Sequence, residues 1–219
     1  FKVRKLRILF ITLIAAFFVS GVSVYALNNS QVPDSIPENK VSKHIVFSES
    51  FLQSDGKIVT TEYEVWFNKR GEYRMNTISG PFAGDYEVWD GENLYRYSKM
   101  LNDLTIKSFP HSDGKVVPIP HLIFSDEILR RINVDISNGK LKRNNAVSSQ
   151  EEYISIDSNN AKTKIVKDET NSMIMESSYT VDGMIKHQLK VKTIEKNVDF
   201  NSSLLNVDEG TANITELKS

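Results

Sequence analysis

The stretch TEYEVWFNKRGEYRMNTISGPFAGDYEVWDGENLYRY, Thr61–Tyr97, decides how this chain folds. Short runs of aromatic and β-branched residues are broken at Arg70-Gly71, Ser79-Gly80-Pro81 and Asp90-Gly91. Alternation places Tyr63, Val65 and Phe67 on one face of a strand and Glu62, Glu64 and Trp66 on the other. Such two-sided patterning predicts a half-buried antiparallel sheet. The functional question is whether its inner face is a packed core or the wall of a cavity.

Outward from that stretch the same signals recur. Ile45–Leu52 and Lys57–Phe67 read as strands joined at Ser54-Asp55-Gly56, and Leu104–Phe109 supplies another. A turn at His111-Ser112-Asp113-Gly114 follows. Ser125, with Asp126 and Glu127 behind it, suits a helix start, so the spacing predicts a helix over Asp126–Ile132, a core-packing element in preference to a mobile lid. Strands resume after Asn138-Gly139, at Tyr153–Ile156, Lys162–Val166, Met173–Thr180 and Met184–Thr193. Asp182-Gly183 is a hairpin signal between the last two. Asp208–Ser219 is polar and is expected to fray. The fold class is mainly β (α+β): a curved antiparallel sheet over a short helical segment.

The 219 residues carry 27 Lys+Arg against 28 Asp+Glu, a formal net charge of −1. That balance argues against a nucleic-acid binder, which needs a clustered positive excess. The absence of cysteine excludes disulfides, thiolate metal sites and thiol nucleophiles. Lys2, Arg4, Lys5 and Arg7 precede twenty uncharged residues, Ile8–Leu27. This is a hydrophobic N-terminal helix, either a membrane anchor or a signal peptide cut near Val24-Tyr25-Ala26. Both place the remainder outside the cytoplasm. Val19-Ser20-Gly21 matches the start of a lipobox, but Val22 stands where the acylated Cys would be. Residues 28–43, with Pro33 and Pro37, read as a linker, 44–207 as one domain and 208–219 as a polar tail.

Signals for catalysis are poor. His44, His111, His121 and His187 show no metal-ligand spacing, and Asp90 and Asp182 precede glycine in turns. No nucleophile elbow, phosphate-binding loop or dinucleotide fingerprint is present. The expectation is a non-enzymatic protein without cofactor or metal. Aromatic crowding is the stronger signal. Cross-strand packing explains it in one account, and an aromatic-lined concave face for an apolar ligand or a partner's side chains in the other. The second account nominates Tyr63, Val65, Phe67, Tyr73, Trp89, Tyr95 and Tyr97 as the binding surface.

Val65-Trp66-Phe67-Asn68-Lys69-Arg70 resembles the Trp strand and basic turn of LolA-like outer-membrane lipoprotein carriers. Gly71–Met75, Tyr86–Tyr97 with its central Asp90-Gly91, Tyr179–Gly183 and Asp199–Val207 are similar to that family's later units, in order. The resemblance covers about Val41 to Val207. It implies a strongly curved half-barrel covered by helices, binding acyl chains or lipoproteins in the concavity without covalent catalysis. It also implies that a basic residue after the Trp strand, Arg70 or the neighbouring Lys69, holds the lid. Pro33 and Pro37 leave little room for the carriers' long first helix. The chain is therefore more similar to a Gram-positive sporulation or germination (GerS-like) branch, whose partner would be a cortex peptidoglycan amidase. The partners expected are thus an envelope or spore protein or a lipid acyl chain, with the membrane engaged through the N-terminal segment. Open sheet edges also permit a homodimer.

Overall fold

The computed structural model describes residues 42–109, 118–147, 150–157, 160–168, 170 and 173–217. The hydrophobic N-terminal segment, nearly all of the linker and the turn at His111 lie outside the described residues.

Alternating burial builds a first meander: β1 (Lys43–Leu52), β2 (Ile58–Phe67), β3 (Tyr73–Ser79), β4 (Tyr86–Trp89), β5 (Asn93–Ser98) and β6 (Asp103–Ser108). A 3-10 turn, Leu122–Phe124, and the helix α1, Asp126–Ser137, come next. A second meander follows in β7 (Lys142–Val147), β8 (Gln150–Ile156), β9 (Ala161–Asp168), β10 (Met173–Val181) and β11 (Met184–Lys196). The last strand is β12, Asn213–Leu217.

All twelve strands form one curved sheet in the order β12-β6-β5-β4-β3-β2-β1-β11-β10-β9-β8-β7. The expected mainly β half-barrel with a short helical segment is therefore the observed fold. β1 lies between β2 and β11 and joins the two meanders, with Phe47 opposite Tyr63 on one side and Val191 on the other. Register shifts at Val46/Phe47, Glu62/Tyr63, Ile174/Glu176 and Tyr179/Thr180 add local twist, which bends the sheet.

The turn chemistry explains the hairpins. Asp182 and Gly183 both have positive φ, 50° and 76°, as a two-residue turn matched to strand twist requires. Gly80 is irreplaceable for a second reason, since a Cβ there would sit 2.7 Å from the Thr60 carbonyl oxygen. Ser125 caps α1, its Oγ accepting from the Ile128 N–H, and the helix runs five residues beyond the predicted Ile132.

Two apolar clusters occupy the face that carries the helical segment, here called the inner face. The larger joins Ile45, Phe47, Val65, Tyr73, Trp89 and Leu189 to Ile123 of the 3-10 turn. The smaller seats Ile128, Ile132 and Ile136 of α1 against Tyr153 and Ile165.

Residues 208–219 correct the sequence expectation, because part of that tail is ordered. After β11 the chain crosses the outer face, then pairs β12 parallel to β6, from Asn213 opposite Asp103 to Leu217 opposite Lys107. Arg74 holds the crossing strap, donating from Nη1 to the Leu204 and Asn206 carbonyls at 3.2 and 3.0 Å.

Phe47 has no exposed surface and stacks on Tyr63 at 5.0 Å between ring centroids. Phe47→Ala should destabilise the domain by about 3–5 kcal/mol, as deletion of a buried aromatic does. Urea unfolding followed by far-UV circular dichroism measures it, with the midpoint lowered and the slope unchanged.

Candidate functional site

The inner face is where the sequence nominated a binding surface, and register decides which residues reach it. Tyr63, Val65 and Phe67 share it with Tyr73 and Trp89, because Phe67 pairs with Tyr73 and Tyr73 with Trp89. Leu94, opposite Trp89, continues this face on β5. Tyr95 and Tyr97 therefore stand on the outer face, and their assignment to the concave surface is corrected. Tyr97 stacks on Tyr86 at 5.0 Å, Arg74 lies over the Tyr86 ring at 4.6 Å, and the Tyr86 hydroxyl donates to the Asp208 carbonyl. These outer aromatics support the C-terminal strap. Period-two alternation within β5 already separates Leu94 from Tyr95, so that signal was available from the sequence.

Val65 and Tyr73 are fully buried, and Phe67 and Trp89 nearly so. The 3-10 turn fills the space above them. Phe124 meets Phe67 edge-on at 5.0 Å and Phe47 at 6.0 Å, and His121 lies 4.9 Å from Phe47 and 6.1 Å from Tyr63, all between ring centroids. Ile123, 3% exposed, completes the plug.

A polar knot ties this plug to the sheet. Glu49 of β1 is 3% exposed, on the same face as Phe47. His187 Nε2 lies 2.9 Å from its Oε1, and His121 Nε2 lies 3.5 Å from its Oε2. His121 Nδ1 accepts the Ile123 N–H, capping the 3-10 turn, so the proton on that ring belongs to Nε2 and faces the carboxylate. Burial alone would push the Glu49 carboxyl up, yet the hydrogen bonds from His121 and His187 outweigh it and hold it below the usual range. Burial and the nearby Glu49 charge push the Tyr63 phenol up to about 12.

A second buried carboxylate lies further along the inner face. Tyr73 donates its hydroxyl to Glu87 Oε1 at 2.6 Å, and Arg96 pairs with Oε2. Burial pushes the Glu87 carboxyl up, against the opposing effects of Arg96 and Tyr73.

Sequence reasoning passed over Glu49, His121 and His187. Their signal was a charged or ionisable residue within an otherwise apolar alternation: Ile45-Phe47-Glu49-Phe51 on β1, and Ile185-His187-Leu189-Val191 on β11. The histidines converge on a carboxylate, but among the described residues no group of three or more His, Cys, Asp or Glu is arranged to hold a metal ion. Among the described residues, Arg70 engages its own turn. Its guanidinium pairs with Glu72 of its own turn at 2.9 Å, and its side chain is 77% exposed.

The described residues also form a shallow groove of about 460 Å3 on the outer face of β8–β11. Its lining is charged, with Lys164 bridging Glu152 at 3.4 Å and Glu176 at 3.1 Å.

Because the Glu49 pKa is lowered in the fold, its stabilising contribution is fully present above the ordinary value of 4.5 and is lost as pH falls through the folded value. Glu49→Gln should therefore cost about 1–3 kcal/mol at neutral pH, the usual scale for hydrogen bonds to a charged group. The gap to the parent protein should narrow as the pH falls from 4.5 through the lowered folded value. Unfolding midpoints across a pH series measure both effects.

No family model matches this chain, and no curated protein matches it. Some solved structures are similar to it. An uncharacterized conserved protein from Thermus thermophilus is similar over 81% of this chain and 91% of its own, with a TM-score of 0.50 and 10% identity. MucB from Pseudomonas aeruginosa, solved in complex with MucA, gives a TM-score of 0.43 at 12% identity. That match covers 78% of this chain and 57% of the other. A LolA superfamily protein from Nitrosomonas europaea gives 0.35 at 10% identity, over 78% of this chain and 92% of its own.

Proposed function

We propose that this chain is a non-enzymatic extracytoplasmic binding protein whose inner sheet face receives an apolar ligand or a partner's apolar side chains. The observation that carries the proposal is the plug. Ile123 and Phe124 sit in an aromatic bed of Phe47, Phe67 and Tyr63, as an apolar guest would, and are secured on the sheet by the Glu49 knot. A segment that occupies such a bed non-covalently is a competitor for it, and its displacement would expose a preformed apolar surface. The sequence resemblance to LolA-like carriers points to the same surface, and the basic flank before Ile8–Leu27 supports export.

Two occupants fit this bed. A partner's aromatic or aliphatic side chains would make the protein an adaptor of the cell envelope or spore. In the germination branch that the sequence resembles, that partner would be a cortex peptidoglycan amidase. An acyl chain would make it a lipid or lipoprotein carrier. The plug's own apolar side chains in the bed support the adaptor, since the guest they mimic is a protein segment.

Emptying the bed tests the site directly. Ile123→Ala with Phe124→Ala should raise the affinity of the full chain for a fluorescent fatty-acid probe at least several-fold. Leu217→Ala, exposed on β12 and away from the bed, should leave it unchanged. Equal binding by all three proteins would refute the inner face as the receiving surface. Pull-down of an amidase from sporulating cells then separates the adaptor from the carrier.

A further inference from the structure

The exposed apolar side chains of this protein are not scattered. Among the described residues, ten large apolar side chains are exposed, and seven of them lie at one end of the sheet. Register shows why they share that end. β1 ends at Leu52 opposite Ile58, while Phe51 pairs with His187 near the start of β11. The β1–β2, β3–β4, β5–β6, β8–β9 and β10–β11 connections therefore all point the same way.

Each of these five connections carries exposed apolar surface. The first presents Ile58, the second Ile78 and Phe82, and the third Met100 and Leu101, 75% and 64% exposed. The fourth presents Ile156 and the fifth Met184. At the opposite end the described turns Asn68–Glu72 and Asp90–Glu92 carry none of them, and among the described residues one exposed large apolar side chain, Leu217 at the close of β12, lies toward that end.

We propose that this apolar rim is a membrane-docking edge, which seats the domain on a lipid bilayer by inserting its hairpin tips into the interface. The charges at the rim suit that role. Asp55 accepts the Lys57 N–H and pairs with the Lys57 ammonium at 3.2 Å, while Asp85 accepts the Lys99 N–H and Asp157 the Ala161 N–H. These three aspartates thus hold turn backbone, and Lys57, Lys99 and Lys186 have stems long enough to reach headgroups from beside an inserted tip. Separate protruding tips suit a deformable lipid interface better than the continuous concave patch that a folded partner would fill.

The chain's own length supplies the second argument. The uncharged stretch Ile8–Leu27 is long enough to cross a bilayer, and the described domain begins at Ser42. Lys43 opens β1 at the polar end, so the rim lies one strand length away, about 33 Å for the ten residues of β1. The chain between Leu27 and Ser42 spans up to about 50 Å when extended. A domain tethered at its polar end can therefore turn its apolar rim onto the membrane that holds the tether.

Tryptophan placed at the two ends distinguishes the orientations without removing the tether. Met100→Trp and Lys69→Trp would be made in the full chain, which would then be reconstituted in vesicles of phosphatidylcholine or of its brominated analogue. The added emission of Met100→Trp, above the background of Trp66 and Trp89, should be blue-shifted and roughly halved by brominated lipid. That of Lys69→Trp should be unaffected. Leu101→Trp, at a neighbouring position, should repeat the Met100→Trp result and guards against a local folding fault. Equal quenching at both ends, or none at the rim, overturns the proposal. A blue shift at the rim without bromine quenching also overturns it, and assigns the rim to a protein contact or a second copy.

Discussion

The pairing of β1 with β11 sets the rest of the architecture. It joins two meanders at their first and last strands, so β6 and β7 are driven to opposite sides of the sheet. The chain linking them has to traverse the sheet, and the described part of it, with the 3-10 turn and α1, lies on the inner face. Strand order alone thus makes the sheet carry its own cover. The same pairing leaves the chain after β11 in mid-sheet, and it reaches an unoccupied strand edge only by crossing the outer face to β6. Arg74 and Tyr86 are the outer-face residues that hold this second crossing.

Where the 3-10 turn meets its aromatic bed, the polar contact is that of His121 with Glu49. A buried carboxylate is costly unless its oxygens are satisfied, and here they meet nitrogens from two different elements, His187 of β11 and His121 of the 3-10 turn. Dispersion and burial would allow the plug to slide over an aromatic surface. A carboxylate with directional partners fixes where it sits. His121 also caps the turn it begins, so the local helix geometry and the long-range tether depend on one ring.

Most of the fold was legible in the sequence, because the sheet is built from hairpins whose turns are chemically explicit. Asp182-Gly183, Ser54-Asp55-Gly56 and Asp90-Gly91 all connect the strands they predicted. β12 was not legible. Its partner β6 is more than a hundred residues away, its pairing is parallel, and it has no buried face to leave an alternating pattern. The nominated surface was half legible. Alternation on β2 correctly groups Tyr63, Val65 and Phe67, whereas counting aromatics on β5 selected Tyr95 and Tyr97 over Leu94, the residue that faces inward. The knot was missed for a different reason: motif searches look for ionisable residues near one another in sequence, and Glu49 and His187 are brought together only by the β1–β11 register.

What the inner face can hold follows from what it would have to release. Lifting Ile123 and Phe124 exposes two large apolar side chains, at roughly 1.5–3 kcal/mol each for full burial. It also breaks the His121 contact with a buried carboxylate, adding about 1.5–3 kcal/mol. The open state is thus on the order of 5–9 kcal/mol above the closed one, too sparse to bind weak guests. An acyl chain gains about 0.8 kcal/mol per buried methylene, so some six to eleven methylenes offset the opening before any net affinity appears. Short amphiphiles are excluded by that threshold. Long acyl chains and multi-residue apolar segments of a protein can exceed it, and the second of these also brings polar groups that could replace His121 on Glu49.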